Sequence, residues 1–83
     1  MNPGAIIFAE VEAAVKRCIR DYGGHEIGYD FTTEQVFDEC KSNIRREHLT
    51  IERVYAALVL LEANLVCVRS RREHGTTYWM KAS

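Results

Sequence analysis

A chain of 83 residues has room for one domain, and its 47% hydrophobic and 28% charged residues exclude the composition of a disordered protein. The formal net charge is -1, but residues 1–43 carry four Lys/Arg against eight Asp/Glu, and residues 44–83 carry seven against four. A nucleic-acid-binding surface needs one basic face rather than a basic total, so the sequence favours the C-terminal half for such a surface.

The first 22 residues indicate one amphipathic helix. Asn2-Pro3 provides an N-cap followed by proline at the first helical position, and Gly23-Gly24 ends the helix. Apolar residues recur between them at spacings of three and four, at Ile7, Val11, Ala14, Val15, Cys18, Ile19 and Tyr22. We therefore predict helix 1 over residues 3–22.

A second helix follows a glycine-containing segment. Residues 27–31 indicate either a connector or one brief strand. Thr32 and Gln35 then match a capping box, in which the threonine hydroxyl accepts from the backbone amide of the glutamine. With an apolar stripe through Val36, Phe37 and Cys40, the sequence predicts helix 2 over residues 33–43.

The C-terminal half predicts a third helix and a hairpin. Thr50 is the expected N-cap of helix 3 (residues 50–63), and Asn64 is its expected C′ residue, the position that commonly takes the left-handed conformation. The predicted inward stripe of this helix is Ile51, Val54, Tyr55, Leu58 and Leu61. Strand formers on both sides of a loop containing Gly75 then predict a two-stranded hairpin over residues 65–81, with Trp79 packed against the helices.

The cysteines and the longest apolar run bear on compartment and cofactors. Cys18, Cys40 and Cys67 are odd in number and widely spaced, and each falls in an apolar stripe or strand, so we expect core packing with no metal or cofactor. The longest apolar run, residues 54–61, is too short to cross a bilayer, and the N-terminus lacks the pattern of a signal peptide. We expect a cytoplasmic protein that binds no membrane.

The order of elements and one motif resemble winged helix-turn-helix domains. The motif consists of LTIERVYAAL at 49–58 and LEANLV at 61–66, with Val54-Tyr55, Leu58, Leu61 and Leu65-Val66 as the matching positions. It is similar to the recognition helix and the entry to the wing in regulators of the ferric-uptake-regulator and MarR-like groups. The resemblance implies an α+β fold of three helices followed by a two-stranded wing. It also implies binding of double-stranded DNA as a transcriptional regulator.

In such domains the third helix enters the major groove and the wing contacts the backbone or the minor groove. Arg53 is then expected to bind guanine, Glu52 to accept from cytosine, and Thr50 with the free amides at the helix start to hold a phosphate. The full expected DNA-binding set is Arg45, Arg46, His48, Thr50, Glu52, Arg53, Ala56, Arg69, Arg71, Arg72 and His74.

Some of these residues, and Tyr55 on the same helix, also fit a purely structural role. Residues 71–74, RREH, also fit a solvated loop tip, and Tyr55 on the inward stripe is expected in the core rather than on DNA. No nucleophile elbow, phosphate-binding loop or dinucleotide motif is present, so we expect no enzyme.

The C-terminal half of helix 3 is apolar on nearly every face. Val59 and Leu60 need a cover, and Ile6 on the outer side of helix 1, together with small neighbouring residues, offers a partner surface. We therefore expect a homodimer that places two recognition helices on a two-fold symmetric site. The alternative is a winged helix that binds a protein partner and reads no DNA, because a fold alone does not set a function.

Overall fold

The computed structural model describes residues 3–23 and 30–82, which form three α-helices and a three-stranded antiparallel sheet. In chain order the elements are helix α1 (Pro3–Gly23), strand β1 (Asp30–Thr32), helix α2 (Thr33–Cys40), a 3₁₀ turn (Arg46–His48), helix α3 (Ile51–Ala63), strand β2 (Cys67–Glu73) and strand β3 (Thr76–Lys81). This α+β arrangement is compatible with a winged helix. The predicted cap at Asn2 and residues 27–29 of the predicted connector lie outside the described residues.

The predicted caps of α2 and α3 are confirmed. The Thr32 hydroxyl accepts from the backbone amide of Gln35 at 3.1 Å, and the Gln35 side chain accepts from the Thr32 amide at 2.8 Å. At the start of α3, the Thr50 hydroxyl accepts from the Arg53 amide at 3.1 Å. Each cap satisfies amides that have no partner within the first turn of the helix.

Helix α2 is three residues shorter than predicted. It ends at Cys40 because the following amides bond three residues back: Lys41 donates to the Asp38 carbonyl at 3.4 Å and Asn43 to the Cys40 carbonyl at 3.0 Å. This tighter pattern ends the helix in a turn. The predicted inward position Ile44 is nevertheless buried, and the turn leads into the segment that precedes α3.

The end of α3 corrects a second expectation. Asn64 has an ordinary right-handed φ of -93°, and Leu65 instead takes the left-handed conformation with φ 62°. The Val66 amide donates to the Leu61 carbonyl at 2.9 Å, and the Leu65 amide donates to the Glu62 carbonyl at 3.1 Å. These two bonds define a Schellman motif with Leu65 at the position that usually holds glycine.

The sheet has three strands rather than the two of the predicted hairpin. The strand order is β1-β3-β2, and β1 adds to the free edge of β3 through the pairs Asp30↔Met80, Phe31↔Trp79 and Thr32↔Tyr78. A three-residue strand gives too little alternation to separate it from a connector in the sequence. Residues 30–32 form a strand because they pair with β3, and β1 leads directly into α2.

The pairing of β2 with β3 contains a β-bulge at Ser70. Arg69 pairs with Trp79, whereas Arg71 pairs with Tyr78, so Ser70 has no partner in the ladder. Adjacent residues of β3 face opposite sides of the sheet, and paired residues share a side. The bulge therefore places Arg69 and Arg71 on opposite faces, although their spacing of two would place them on one face in a regular strand.

One hydrophobic core joins the helices to the sheet. Its largest fully buried side chains include Trp79 and Phe31, so the predicted packing of Trp79 against the helices is confirmed. Cys40 and Cys67 are buried and Cys18 packs against this core, as expected from their apolar stripes. Among the described residues, no helix is long and apolar enough to cross a membrane.

The buried stripe of α3 differs from the predicted one. Val54, Ala57, Leu58 and Leu61 are buried, whereas Ile51 and Tyr55 are exposed by 36% and 40%. The small side chain of Ala57 lets the helix approach its neighbours closely, and the spacing of three, four and seven from Val54 sets the inward face. The two large residues expected in the core therefore lie on the surface.

Candidate functional site between helix α3 and the hairpin

An open groove of about 370 Å³ separates the start of α3 from the tip of the β2–β3 hairpin. Ile51, Glu52 and Tyr55 of α3 form one wall, and Gly75 faces them from the hairpin. The remaining lining residues belong to the start of α2 and to β3, namely Thr32, Thr33, Glu34, Thr76 and Thr77. The groove is therefore an apolar and hydroxyl-rich surface with two carboxylates, Glu34 and Glu52.

The outward face of α3 is largely apolar. Its exposed residues are Ile51, Glu52, Tyr55, Ala56, Leu60 and Ala63. Glu52 is the charged residue of this set, so the exposed surface of the helix carries an acid and no basic side chain. This surface differs from the one expected, on which Arg53 was to face the bases.

Arg53 contacts the preceding turn instead of standing free. The side chain is half-buried, and Nη1 donates to the backbone carbonyl of His48 at 2.8 Å. His48 in turn lies against α1, with Nδ1 at 3.3 Å from Oε2 of Glu10. These contacts join the 3₁₀ turn to α1 and α3, and Arg53 therefore does not point freely outward as expected.

Tyr55 is held in a fixed position although it is exposed. Its ring packs edge-on against Trp79, with ring centroids 5.9 Å apart and planes at 70°. Arg69 lies over the Trp79 ring at 5.1 Å, and its Nε donates to the Glu62 carboxylate at 3.1 Å. Desolvation acts to lower the pKa of Arg69, but hydrogen bonds and charge from Glu62 and Tyr55 outweigh it, so this pKa lies above its ordinary value.

The predicted basic cluster of the hairpin is divided between two faces. Arg71 stacks on Tyr78 at 3.9 Å, donates from Nε to Asp30 Oδ2 at 3.0 Å and also bonds to Glu73. It thus lies on the face opposite Trp79. Arg72 pairs with Thr77, a residue that lines the groove, so Arg72 lies on the side of the sheet that faces α3.

His74 stands at the hairpin tip, with Nε2 at 4.0 Å from Oε1 of Glu73 and a side chain that is 93% exposed. Three of the expected DNA-binding arginines remain without a side-chain partner in the described part of the chain. They are Arg45, Arg46 and Arg72, and all three are exposed. Arg45 and Arg46 precede α3, and Arg72 lies on the hairpin. Unpaired cations therefore precede α3 in the chain and lie on the hairpin that borders the groove.

The sequence missed several residues of the groove. Ile51 and Tyr55 were expected in the core, while Glu34, Thr76 and Thr77 were given no clear role. The stripe Val54, Ala57, Leu58 and Leu61 has the same helical period as the predicted one and was readable as an alternative. Choosing it would have placed Tyr55 outside, whereas Ile51 lies in line with Leu58 and is exposed at the first position of the helix.

The residues expected at a dimer contact differ in exposure. Ile6 is exposed by 52% and Leu60 by 38%, but Val59 is half-buried and packs against the chain's own core. The core of this protomer thus partly covers Val59, and the apolar surface that needs a partner is smaller than the sequence indicated. Leu65, at the end of α3, is the most exposed large apolar residue described, at 80%.

The described residues contain no group of three or more His, Cys, Asp or Glu side chains arranged to hold a metal ion. Comparison with protein-family models, with curated proteins and with solved structures finds no match for this chain.

Proposed function

We propose that this protein is a winged helix domain that binds double-stranded DNA as a transcriptional regulator. In this proposal α3 is the recognition helix in the major groove, and the β2–β3 hairpin is the wing on the backbone. The element order, the three-stranded sheet and the exposed outward face of α3 support it. Arg45, Arg46 and Arg72 are the phosphate contacts.

The distribution of unpaired arginines carries the proposal. Arg69 and Arg71 are neutralised by carboxylates and stacked on aromatic rings, so they stiffen the hairpin. Arg45, Arg46 and Arg72 have no such partners among the described residues; Arg45 and Arg46 precede α3 in the chain, and Arg72 lies on the side of the hairpin that faces α3. Cations in these positions suit phosphates on the two sides of a major groove.

This arrangement predicts weak, moderately salt-dependent binding to random DNA. Three phosphate contacts per protomer give a slope of about -3 for the logarithm of affinity against the logarithm of salt concentration. Glu34 and Glu52 oppose the phosphate field, so the affinity at physiological salt depends on base contacts more than on charge. Fluorescence anisotropy of a labelled random duplex, titrated at several salt concentrations, measures the affinity and its dependence on salt.

Two double variants with the same charge change test the docking. Arg45→Gln/Arg46→Gln is expected to make the slope shallower by about two units per protomer, since each lost phosphate contact removes about one unit from its magnitude. Arg17→Gln/Arg20→Gln removes the same charge from exposed positions on α1 and is expected to change the slope little. Equal effects of the two variants would contradict this docking, and no binding at low salt would contradict the DNA-binding proposal.

A protein-interaction module is the second candidate. The apolar and acidic outward face of α3 favours it, because base-reading helices usually present basic or amide side chains to the groove. The salt titration separates the two candidates. Absence of duplex binding at every salt concentration favours a protein partner at α3, and salt-dependent binding favours DNA.

A further inference from the structure

The outward face of α3 contains no side chain suited to guanine. Its first two turns expose Ile51, Glu52, Tyr55 and Ala56. Guanine offers two acceptors in the major groove, and an arginine or lysine is its usual partner. Arg53 is half-buried and bonded to the His48 carbonyl, so the only basic residue of α3 already has a structural role.

The same face matches what pyrimidines offer in the major groove. Thymine presents a C5-methyl group, which apolar side chains contact, and cytosine presents an N4 amino group, which a carboxylate accepts. Ile51 and Tyr55 are one helical turn apart and form an apolar ridge, while Glu52 lies beside them with its carboxylate exposed. The apolar ridge therefore matches the thymine methyl group, and the Glu52 carboxylate matches the cytosine amino group.

The ridge is positioned before any DNA arrives. Tyr55 is held by its edge contact with Trp79, and Arg69, which Glu62 fixes, covers the Trp79 ring. Trp79 is fully buried, so this support is rigid. A prearranged apolar surface loses little side-chain entropy on binding, which lets small methyl contacts contribute to affinity.

We propose that α3 recognises pyrimidines, with Ile51 and Tyr55 packing on thymine methyl groups and Glu52 accepting from a cytosine amino group, and that it makes no direct contact to guanine edges. This inference depends on the proposed DNA binding. It names the base class that the same site reads, and it assigns the base-specific contacts to residues other than Arg53.

Replacement of thymine by uracil tests the methyl contacts. A duplex enriched from a random library by binding to the protein is prepared with thymine and with uracil. We expect affinity to fall about fourfold for each contacted methyl group, from the transfer free energy of one buried methylene-sized group. Ile51→Ala is expected to bind the thymine duplex more weakly and to respond less to uracil than the original protein does.

Leu65→Ala is the matched control, because Leu65 is an exposed aliphatic residue outside both the groove and the proposed dimer contact. It is expected to keep the full response to uracil. A protein that binds both duplexes equally would overturn this inference and leave the proposed DNA binding intact. Failure to bind any duplex would overturn both.

Glu52→Gln tests the cytosine contact. A carboxamide pairs with adenine N6 and N7, so library selection with this variant is expected to replace cytosine by adenine at one position of the site. An unchanged preference would overturn the assignment of Glu52. The measurement is the base frequency at each position, which reports the change independently of overall affinity.

Discussion

At the residue scale, the same residue type has different roles according to its neighbours. Arg53 bonds to a backbone carbonyl, Arg69 and Arg71 pair with carboxylates, and Arg72 has no side-chain partner in the described part of the chain. The sequence predicted all four as DNA contacts. It does not show these pairings, because the partners of Arg69, Arg71 and Arg53 depend on strand register and on a turn.

Cys67 gives a prediction on pH. Its side chain is fully buried, and its Sγ donates to the Leu58 carbonyl at 3.5 Å. Burial, with a smaller effect of the Glu62 charge, raises the pKa of Cys67 to about 11. Between pH about 9 and about 11 the unfolded chain loses this thiol proton while the folded chain keeps it, so stability falls as the pH rises.

The expected contribution of Cys67 to this fall is about 3 kcal/mol in the free energy of unfolding. Urea denaturation of the original protein and of Cys67→Ala at pH values across that window measures it. Since Tyr and Lys groups also titrate there, the difference between the two proteins is the relevant quantity. The same pH dependence in both would contradict a raised pKa at Cys67.

At the element scale, local signals fixed where most helices begin, and tertiary contacts fixed which face is buried. The Thr32 and Thr50 caps were readable because a cap and its helix are only three residues apart. The inward face of α3 was misassigned because Ile51 and Tyr55 are apolar and fit the helical period, yet Ala57 is the residue that packs inside. A stripe with Ile51 and Tyr55 and a stripe with Ala57 both fit the helical period, and packing against α1 and the sheet determines which of them is buried.

The end of α3 gives a prediction on backbone strain. Leu65 has φ 62° and is 80% exposed. Its Cβ makes the left-handed conformation unfavourable, and its side chain buries little surface in return. Leu65→Gly is expected to raise the free energy of unfolding by about 1 kcal/mol. Urea denaturation measures this change.

Asn64→Gly is the control, because φ at Asn64 is -93° and glycine has no advantage there. It is expected to give no gain or a small loss of stability. A gain at residue 64 and none at residue 65 would mean that the left-handed residue is Asn64, as the sequence first indicated.

At the scale of the whole molecule, the surface divides into chemically different regions. The groove beside α3 contains Glu34 and Glu52, whereas Arg45 and Arg46 precede α3 and Arg72 lies on the hairpin. The excess of basic residues in the C-terminal half therefore does not form one continuous patch. The β-bulge at Ser70 contributes to this division, because it sends neighbouring arginines to opposite faces of the sheet.

A homodimer remains our proposal for the exposed apolar residues Ile6 and Leu60. Leu60→Glu is expected to convert a dimer into a folded monomer in sedimentation at micromolar concentration, because a carboxylate buried in the contact has no partner. Leu65→Glu is the matched control, since Leu65 is more exposed than Leu60 but lies outside the proposed contact. A monomeric original protein, or equal effects of the two variants, would contradict this proposal.

The sequence by itself determined the three helices, the N-caps at Thr32 and Thr50, the β2–β3 hairpin and the burial of Trp79, because these depend on spacing and on neighbours a few residues apart. Tertiary structure alone decided that β1 completes the sheet, that the bulge divides the arginines, and that Ile51 and Tyr55 form the wall of a groove. The third strand and the groove depend on residues that lie far apart in the chain, such as Phe31 with Trp79 and Ile51 with Gly75, and the bulge depends on the register between two strands. Local periodicity contains no information about such pairs.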